Sequence, residues 1–229
     1  YIRYRVVNSY NITKVRDRLM SKFEVSPLAG QVMNLISNGD NVFITGGGGV
    51  GKSHLMRELL ALFESPLPLA TTNLAAFNIK GGTIHKAFKL YDCKSIKQLK
   101  AKDDSYLAQM MARDSIEEPV ARERFFSTIK KDAKSADVIF IDEISMLSAQ
   151  IFDIFIYRLR TFLGDEYKNI PIIIIGDLFQ LPPVKSDNRR VDMVFHSKHW
   201  DFKILELTQM KRTTDVEFTK VQNEVRKGK

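Results

Sequence analysis

Cysteine is almost missing from this chain of 229 residues, in which Cys93 stands alone. One thiol excludes an internal disulfide, so a packed core must hold the fold, and the composition suits a reducing compartment. A buried structural role is expected for Cys93. Long apolar runs are missing as well. The longest purely aliphatic stretch, Ile172–Ile175, falls far short of the ~20 residues that cross a bilayer. The opening Tyr-Ile-Arg-Tyr-Arg has no signal-peptide apolar region. A soluble protein with no membrane partner is expected. No methionine precedes Tyr1, which fits a piece excised from a longer polypeptide. Internal repeats and low-complexity segments are also lacking, so neither a repeat array nor a disordered tail fits.

What is present points to an α/β domain. At 44% hydrophobic residues the chain can bury one sizeable core with a small insertion. A net charge of +8 and a pI near 9.5 favour a polyanionic partner, nucleic acid first among them. Five β-rich runs, Asn41–Thr45, Leu67–Thr72, Val138–Ile141, Ile172–Ile175 and Phe202–Leu207, alternate with helical segments, which predicts a parallel sheet. Ile172–Ile175 is apolar throughout, as a central strand covered on both faces would be. Helices are expected over Ser26–Ser37, Lys52–Glu64, Ala149–Leu163 and Val216–Lys227, the last capped by Asp215. Residues 89–135, rich in charge with apolar residues at helical spacing, read as a helical insertion. Residues 1–24 form an extension with no interpretable signal.

Gly46-Gly47-Gly48-Gly49-Val50-Gly51-Lys52-Ser53 has the spacing of a phosphate-binding loop and follows an apolar strand. Glycines let backbone N–H groups approach phosphate oxygens, and the next helix adds its positive N-terminal dipole. Lys52 would reach the β/γ-phosphates and Ser53 would hold Mg²⁺. Such a site needs an acidic partner at the end of a neighbouring strand. Val138-Ile-Phe-Ile-Asp142-Glu143 supplies one, with Asp142 toward the metal and Glu143 toward the proton of an attacking water. In a third element, Ile172–Ile175 runs into Gly176-Asp177-Leu178-Phe179-Gln180-Leu181-Pro182-Pro183-Val184, where two prolines stiffen the loop and Gln180 would sense the γ-phosphate.

These blocks resemble a known family. Gly46–Ser53, Asp142–Leu147, Gly176–Val184 and Leu205–Phe218 are similar, in order, to motifs I, II, III and IV of the Pif1-like branch of superfamily 1B helicases. Ala70–Phe88 is similar to that branch's motif Ia and its flank. The resemblance covers residues 25–229. It implies a RecA-like P-loop NTPase lobe, with a central parallel sheet flanked by helices. It also implies ATP and Mg²⁺ as cofactors, and 5′ to 3′ movement on single-stranded DNA that unwinds duplex at single-strand/duplex junctions. The expected setting is intracellular, at sites of DNA replication or repair.

Carried over residue by residue, the resemblance assigns catalysis to Lys52, Glu143, Gln180 and Arg212. It assigns the metal to Ser53 and Asp142, and nucleotide contacts to Gly46 through Ser53 with His54. Thr72, Asn73, His85, Lys86 and Phe88 are the DNA-binding candidates, Phe88 as a stacking ring among lysines. The family's adenine-reading glutamine falls on Ala29 here, so Gln31, two residues later, is the nearest amide. Asn73 stands where motif Ia usually has glycine, and Thr213 where motif IV usually has glutamine. Motifs V and VI are not found in the sequence, so a second RecA-like lobe is expected elsewhere on the polypeptide. The lobe alone is expected to be a monomer with weak or no activity. Two other readings stay open from sequence: a non-catalytic, ATP-gated DNA-binding module, and a P-loop kinase, which the Gln-Leu-Pro-Pro block disfavours.

Overall fold

A computed structural model of the chain describes residues 25–183 and 192–208, and Glu224. The predicted helix Val216–Lys227, apart from Glu224, lies outside the described residues, as do Arg212, Val184 and the extension 1–24. In chain order the elements are α1 (Pro27–Ser37), β1 (Asn41–Gly46), α2 (Lys52–Leu62), β2 (Pro66–Ala70), α3 (Asn73–Asn78), β3 (Gly82–Thr83) and α4 (Ile84–Ala87). There follow α5 (Ile96–Asp114), α6 (Glu118–Ser135), β4 (Val138–Asp142), α7 (Ala149–Leu163), β5 (Ile172–Gly176) and β6 (Phe202–Leu207). Short 3₁₀ turns occupy Ile144–Met146, Gly164–Asn169 and Val194–His196.

The strands form a parallel sheet in the order β3-β2-β4-β5-β1-β6. β3 is the strand that the sequence reading missed: two residues are too few to show a period. Alternation along each central strand sends side chains to opposite faces. Val42, Ile44, Val138, Phe140, Ile173 and Ile175 pack with α1 and α2. Phe43, Ile139, Ile141, Ile172 and Ile174 pack on the other side, with residues of α5, α6 and α7. Both faces are therefore dry, which is why Ile172–Ile175 has no polar position. Burying each isoleucine is worth roughly 1.5–3 kcal/mol.

Most helices start where a hydroxyl satisfies their first N–H groups. Ser26, Thr72, Thr83, Ser95 and Ser148 cap α1, α3, α4, α5 and α7 in this way. α2 and α6 differ: Glu117 caps α6 without a side-chain bond, and the cap of α2 is Gly51 in the left-handed conformation. The glycine cap falls on the phosphate-loop helix.

Between β3 and β4 the chain makes the two long helices α5 and α6. Arg158 of α7 ties them down. It donates two bonds to the Asp103 carboxylate of α5, at 2.6 and 2.7 Å, and others to the carbonyls of Phe88 and Lys89, at 3.2 and 3.1 Å. The pair is buried and its geometry is bidentate. Lys89 and Tyr91, just past α4, have φ values of 47° and 52°, so the ion pair clasps a strained stretch of backbone. Asp103→Ala would leave a buried guanidinium without its counter-ion and should cost about 3–5 kcal/mol. Asp103→Leu combined with Arg158→Met should recover most of that. Urea unfolding midpoints of the three proteins check both statements, and an unchanged midpoint for Asp103→Ala would contradict the role given to the pair.

Candidate functional site

Parallel pairing brings the carboxyl ends of the strands to one edge. Thr45 lies opposite Gly176, Gly46 opposite Leu207, and Ala70 opposite Asp142. The glycine-rich loop after β1, the acidic pair after β4, the Asp177–Gln180 turn after β5 and the threonines after β2 therefore share that edge.

The loop leaves β1 at Gly46, where a side chain has no room: a Cβ there would sit 2.5 Å from the Leu207 carbonyl oxygen and 2.9 Å from Val50 Cγ2. Lys52 Nζ donates to the carbonyls of both Gly46 and Gly47 at 2.8 Å, so the ammonium is folded over its own loop. Gly47, Gly48 and Gly49 complete the span, and Gly49 and Gly51 both adopt positive φ. Ser53 is exposed at the start of α2. His54 is exposed too, and with Val25, Ser26, Arg57 and Glu58 it lines an open cleft of about 800 Å³ between α1 and α2.

Glu58 closes the floor of that cleft. Its carboxylate accepts the Ser26 N–H at 2.7 Å and the Ser26 hydroxyl at 2.8 Å, which pins the start of α1 to α2. Ala29 is fully buried in the first turn of α1, packed with Leu55, Met56 and Leu59. Gln31 is two residues along and therefore about 200° around the helix, on the solvent side. Gln31 and Ala29 therefore face different sides of α1.

Asp142 ends β4. Burial pushes its pKa up, against the opposing effects of the Glu143 N–H, bonded to Oδ1 at 2.9 Å, and of the nearby Lys52 ammonium. A carboxylate short of water and facing a cation fits a ligand for a divalent ion. Among the described residues no group of three or more His, Cys, Asp or Glu could hold a metal by itself. Ser53 and Asp142 offer one hydroxyl and one carboxylate, the kind of oxygen donors that Mg²⁺ takes one or two of while phosphate and water complete its shell.

Glu143 has φ 56° and ψ 45°, left-handed for a residue with a side chain, at a cost of roughly 1–2 kcal/mol. Its carbonyl accepts the Thr71 hydroxyl at 2.8 Å and the Met146 N–H at 3.3 Å. Gly176 backs this turn, since a Cβ there would stand 2.8 Å from Ile144 Cγ2 and 2.9 Å from Ile144 N. After β5, the buried Asp177 accepts the Phe179 N–H at Oδ1 (3.1 Å) and the Gln180 N–H at its carbonyl (2.9 Å). That Asx-type turn holds the segment bearing the exposed Gln180. The sequence reading credited the prolines and overlooked the aspartate.

The DNA-binding candidates separate. Thr72 caps α3 through the Ala75 N–H, Asn73 is exposed beside it, and Lys86 is exposed on α4. His85 is half-buried, and desolvation lowers its pKa despite Asp92, which leaves a neutral ring at neutral pH. Phe88 is 1% exposed and packs edge-on against Phe155 at 4.8 Å, so it is a core residue and cannot stack on a base. Apolar groups that follow strand ends at this edge and do face outward include Phe77 (81%) and Leu74 (73%) on α3, and Leu181 (74%) and Phe179 (63%) after β5. The helical spacing of Leu74 and Phe77 was the available signal, since α3 is short and buries its other face through Ala75 and Ala76.

Comparison with known proteins agrees with this geometry. The model of the PIF1-like helicase family matches residues 27–228. The ATP-dependent DNA helicase Pif1 of Campylobacter jejuni is 34% identical over 201 residues, which cover 82% of this chain and 41% of that protein. PIF1 of Saccharomyces cerevisiae is 31% identical over 236 residues, 97% of this chain and 25% of that one. The chain thus spans less than half the length of either relative. A Bacteroides Pif1 helicase in complex with ADP-AlF3 and single-stranded DNA superposes with a TM-score of 0.71 at 27% identity, covering 90% of this chain and 47% of that one. The parallel sheet flanked by helices is that of the RecA-like domain in the Pif1 structures, and on sequence and structure together this chain belongs to the PIF1-like helicase family.

Proposed function

We propose that this chain is the first motor lobe of an ATP-dependent DNA helicase that moves 5′ to 3′ on single-stranded DNA and opens duplex at junctions. The observation that carries the proposal is the shared sheet edge. A glycine-rich loop, a carboxylate pair and the Asp177–Gln180 turn stand on adjacent strand ends, and α3, with its exposed Phe77, follows β2 across Thr71 and Thr72. The match of the PIF1-like helicase family model to residues 27–228 disfavours a P-loop kinase.

Lys52 and the loop N–H groups hold the β- and γ-phosphates. Ser53 and Asp142 would hold Mg²⁺, which when bound would neutralise negative charge on the phosphates. Glu143 accepts the proton of the attacking water, Gln180 orients that water, and Arg212 contributes charge to the γ-phosphate. A second RecA-like lobe on the same polypeptide closes the cleft. The setting follows from the substrate: intracellular DNA undergoing replication or repair. Among the described residues no helix is long and apolar enough to cross a membrane. Single strands pass over α3 and α4, where Phe77 replaces Phe88 as the stacking ring and Lys80 and Lys86 meet phosphates.

Glu143→Gln in the full-length protein should keep ATP affinity and lower turnover by about 10²–10⁴, because the amide has the shape of the acid and cannot take the proton. A binding titration beside a steady-state ATPase assay checks this, and normal turnover would refute the assignment. Phe77→Ala should weaken single-strand binding by about 1–3 kcal/mol without altering its salt dependence. Lys86→Ala should reduce the salt slope by about 1. Affinities across a salt series separate the two.

Asp142 generates a pH prediction. A carboxyl whose pKa is raised by folding stabilises the fold fully below the ordinary aspartate value, and that contribution is lost as pH rises through the raised value. At neutral pH the ionised Asp142 therefore costs stability. Asp142→Asn should raise the Tm of the nucleotide-free protein at pH 7, with the difference closing at acid pH, while Mg²⁺-dependent nucleotide binding is lost. Thermal scans at several pH values measure it, and a lower Tm at pH 7 would oppose it.

A further inference from the structure

Thr71 has no assigned role, yet it touches the reacting end of the site and the α3 surface at once. Its N–H donates to the Asp142 carbonyl at 3.2 Å and its hydroxyl to the Glu143 carbonyl at 2.8 Å. The next residue, Thr72, caps α3 with its own hydroxyl, bonded to the Ala75 N–H at 3.2 Å, and accepts the Ala76 N–H at its carbonyl at 3.0 Å. Two adjacent hydroxyls thus face two different tasks. α3 is six residues long and carries Leu74 and Phe77 into solvent.

Glu143 needs an external hold. Its left-handed backbone is one that residues with side chains rarely keep without outside contacts, and it sets the direction in which the carboxylate leaves the chain. On the β5 side the turn is backed by the close approach of Gly176 to Ile144. On the β2 side it is held by the Thr71 hydroxyl. The first contact is rigid packing against a central strand. The second belongs to a chain segment that continues directly into α3.

We propose that Thr71 is a positioning residue that couples the α3 surface to hydrolysis: its hydroxyl holds the Glu143 peptide in register, and any ligand that shifts α3 shifts that bond. The inference rests on the reading of α3 as a single-strand contact and of Glu143 as the base. The bond is made without DNA; single-stranded DNA gripping α3 would keep it made through the hydrolytic step, where α3 left to itself yields.

The test uses the full-length protein, with ATPase measured with and without oligo(dT), beside ATP and oligo(dT) affinities. Thr71→Val removes the hydroxyl at nearly constant shape, and the Glu143 carbonyl keeps its Met146 N–H, so the fold should persist. DNA-stimulated kcat should fall on the order of 10- to 10²-fold, the range for a misplaced catalytic group. The KM for ATP and the oligo(dT) affinity should stay near wild type, and the basal rate should fall less than the stimulated one. Thr71→Ser, which retains the hydroxyl, should restore stimulation. Thr71→Ala serves if the valine variant loses its fold. Wild-type stimulation in Thr71→Val would overturn the proposal, and so would an equal fall with and without DNA, since that shows alignment without coupling. Should the wild-type protein itself show no DNA-stimulated hydrolysis, the helicase reading falls and this one with it.

Discussion

Parallel pairing is the constraint on which the rest depends. Parallel neighbours must run from the same end, so every crossover returns the chain to the amino edge and every strand delivers its last residue to the carboxyl edge. Glycine-rich loop, acidic pair, Asp177 turn and Thr71-Thr72 are far apart in sequence, yet each is the first segment after a strand of this sheet. Packing on both faces makes the strands stiff, and stiffness is what lets four separate loops hold a common geometry.

The cost of that geometry is concentrated at the same edge. Glu143 is left-handed, Asp142 is an acid pushed toward its neutral form by burial, and Asp177 sits buried at the end of β5. None of the three is where stability alone would place it. Each is compensated locally: Glu143 by Thr71 and Gly176, Asp142 by the Glu143 N–H and Lys52, Asp177 by the two N–H groups that its turn supplies to side chain and carbonyl. The central strands supply the surplus burial that tolerates this strain.

Features written in local spacing were legible in the sequence. Apolar runs marked β1, β4 and β5 because a strand dry on both faces has no polar position to confuse the pattern, and the phosphate loop was plain because its glycines answer a steric demand. What escaped depends on docking. β3 has two residues and no period. Phe88, with Lys86 two residues before it and Lys89 directly after it, looked like a ring in a basic groove. It turns inward because α4 is a single turn whose last residues are drawn under α7 by Arg158. Gln31 was chosen by nearness in sequence, and helix rotation sets it on a different side of α1 from Ala29. Thr71 gave no signal, since a threonine at a strand end is ordinary until the strand beside it ends in a strained glutamate.

Stiff and pliant segments then divide the candidate DNA surface. The stretch after α4 is clasped by Arg158, whose guanidinium joins α5, α7 and two backbone carbonyls in one buried knot, and Lys89 adds a bond to the Phe125 carbonyl of α6. Four elements would have to move for Lys86 to move far. α3 has no such clasp; it rests on Ala75 and Ala76 against Ala70 and Ile79, small side chains that offer little contact to resist a shift. A strand lying across both would therefore meet one fixed wall and one that yields. The yielding wall is the one joined through Thr71 to Glu143, so in the proposed reading force on the nucleic acid would reach the hydrolytic group through the same short helix.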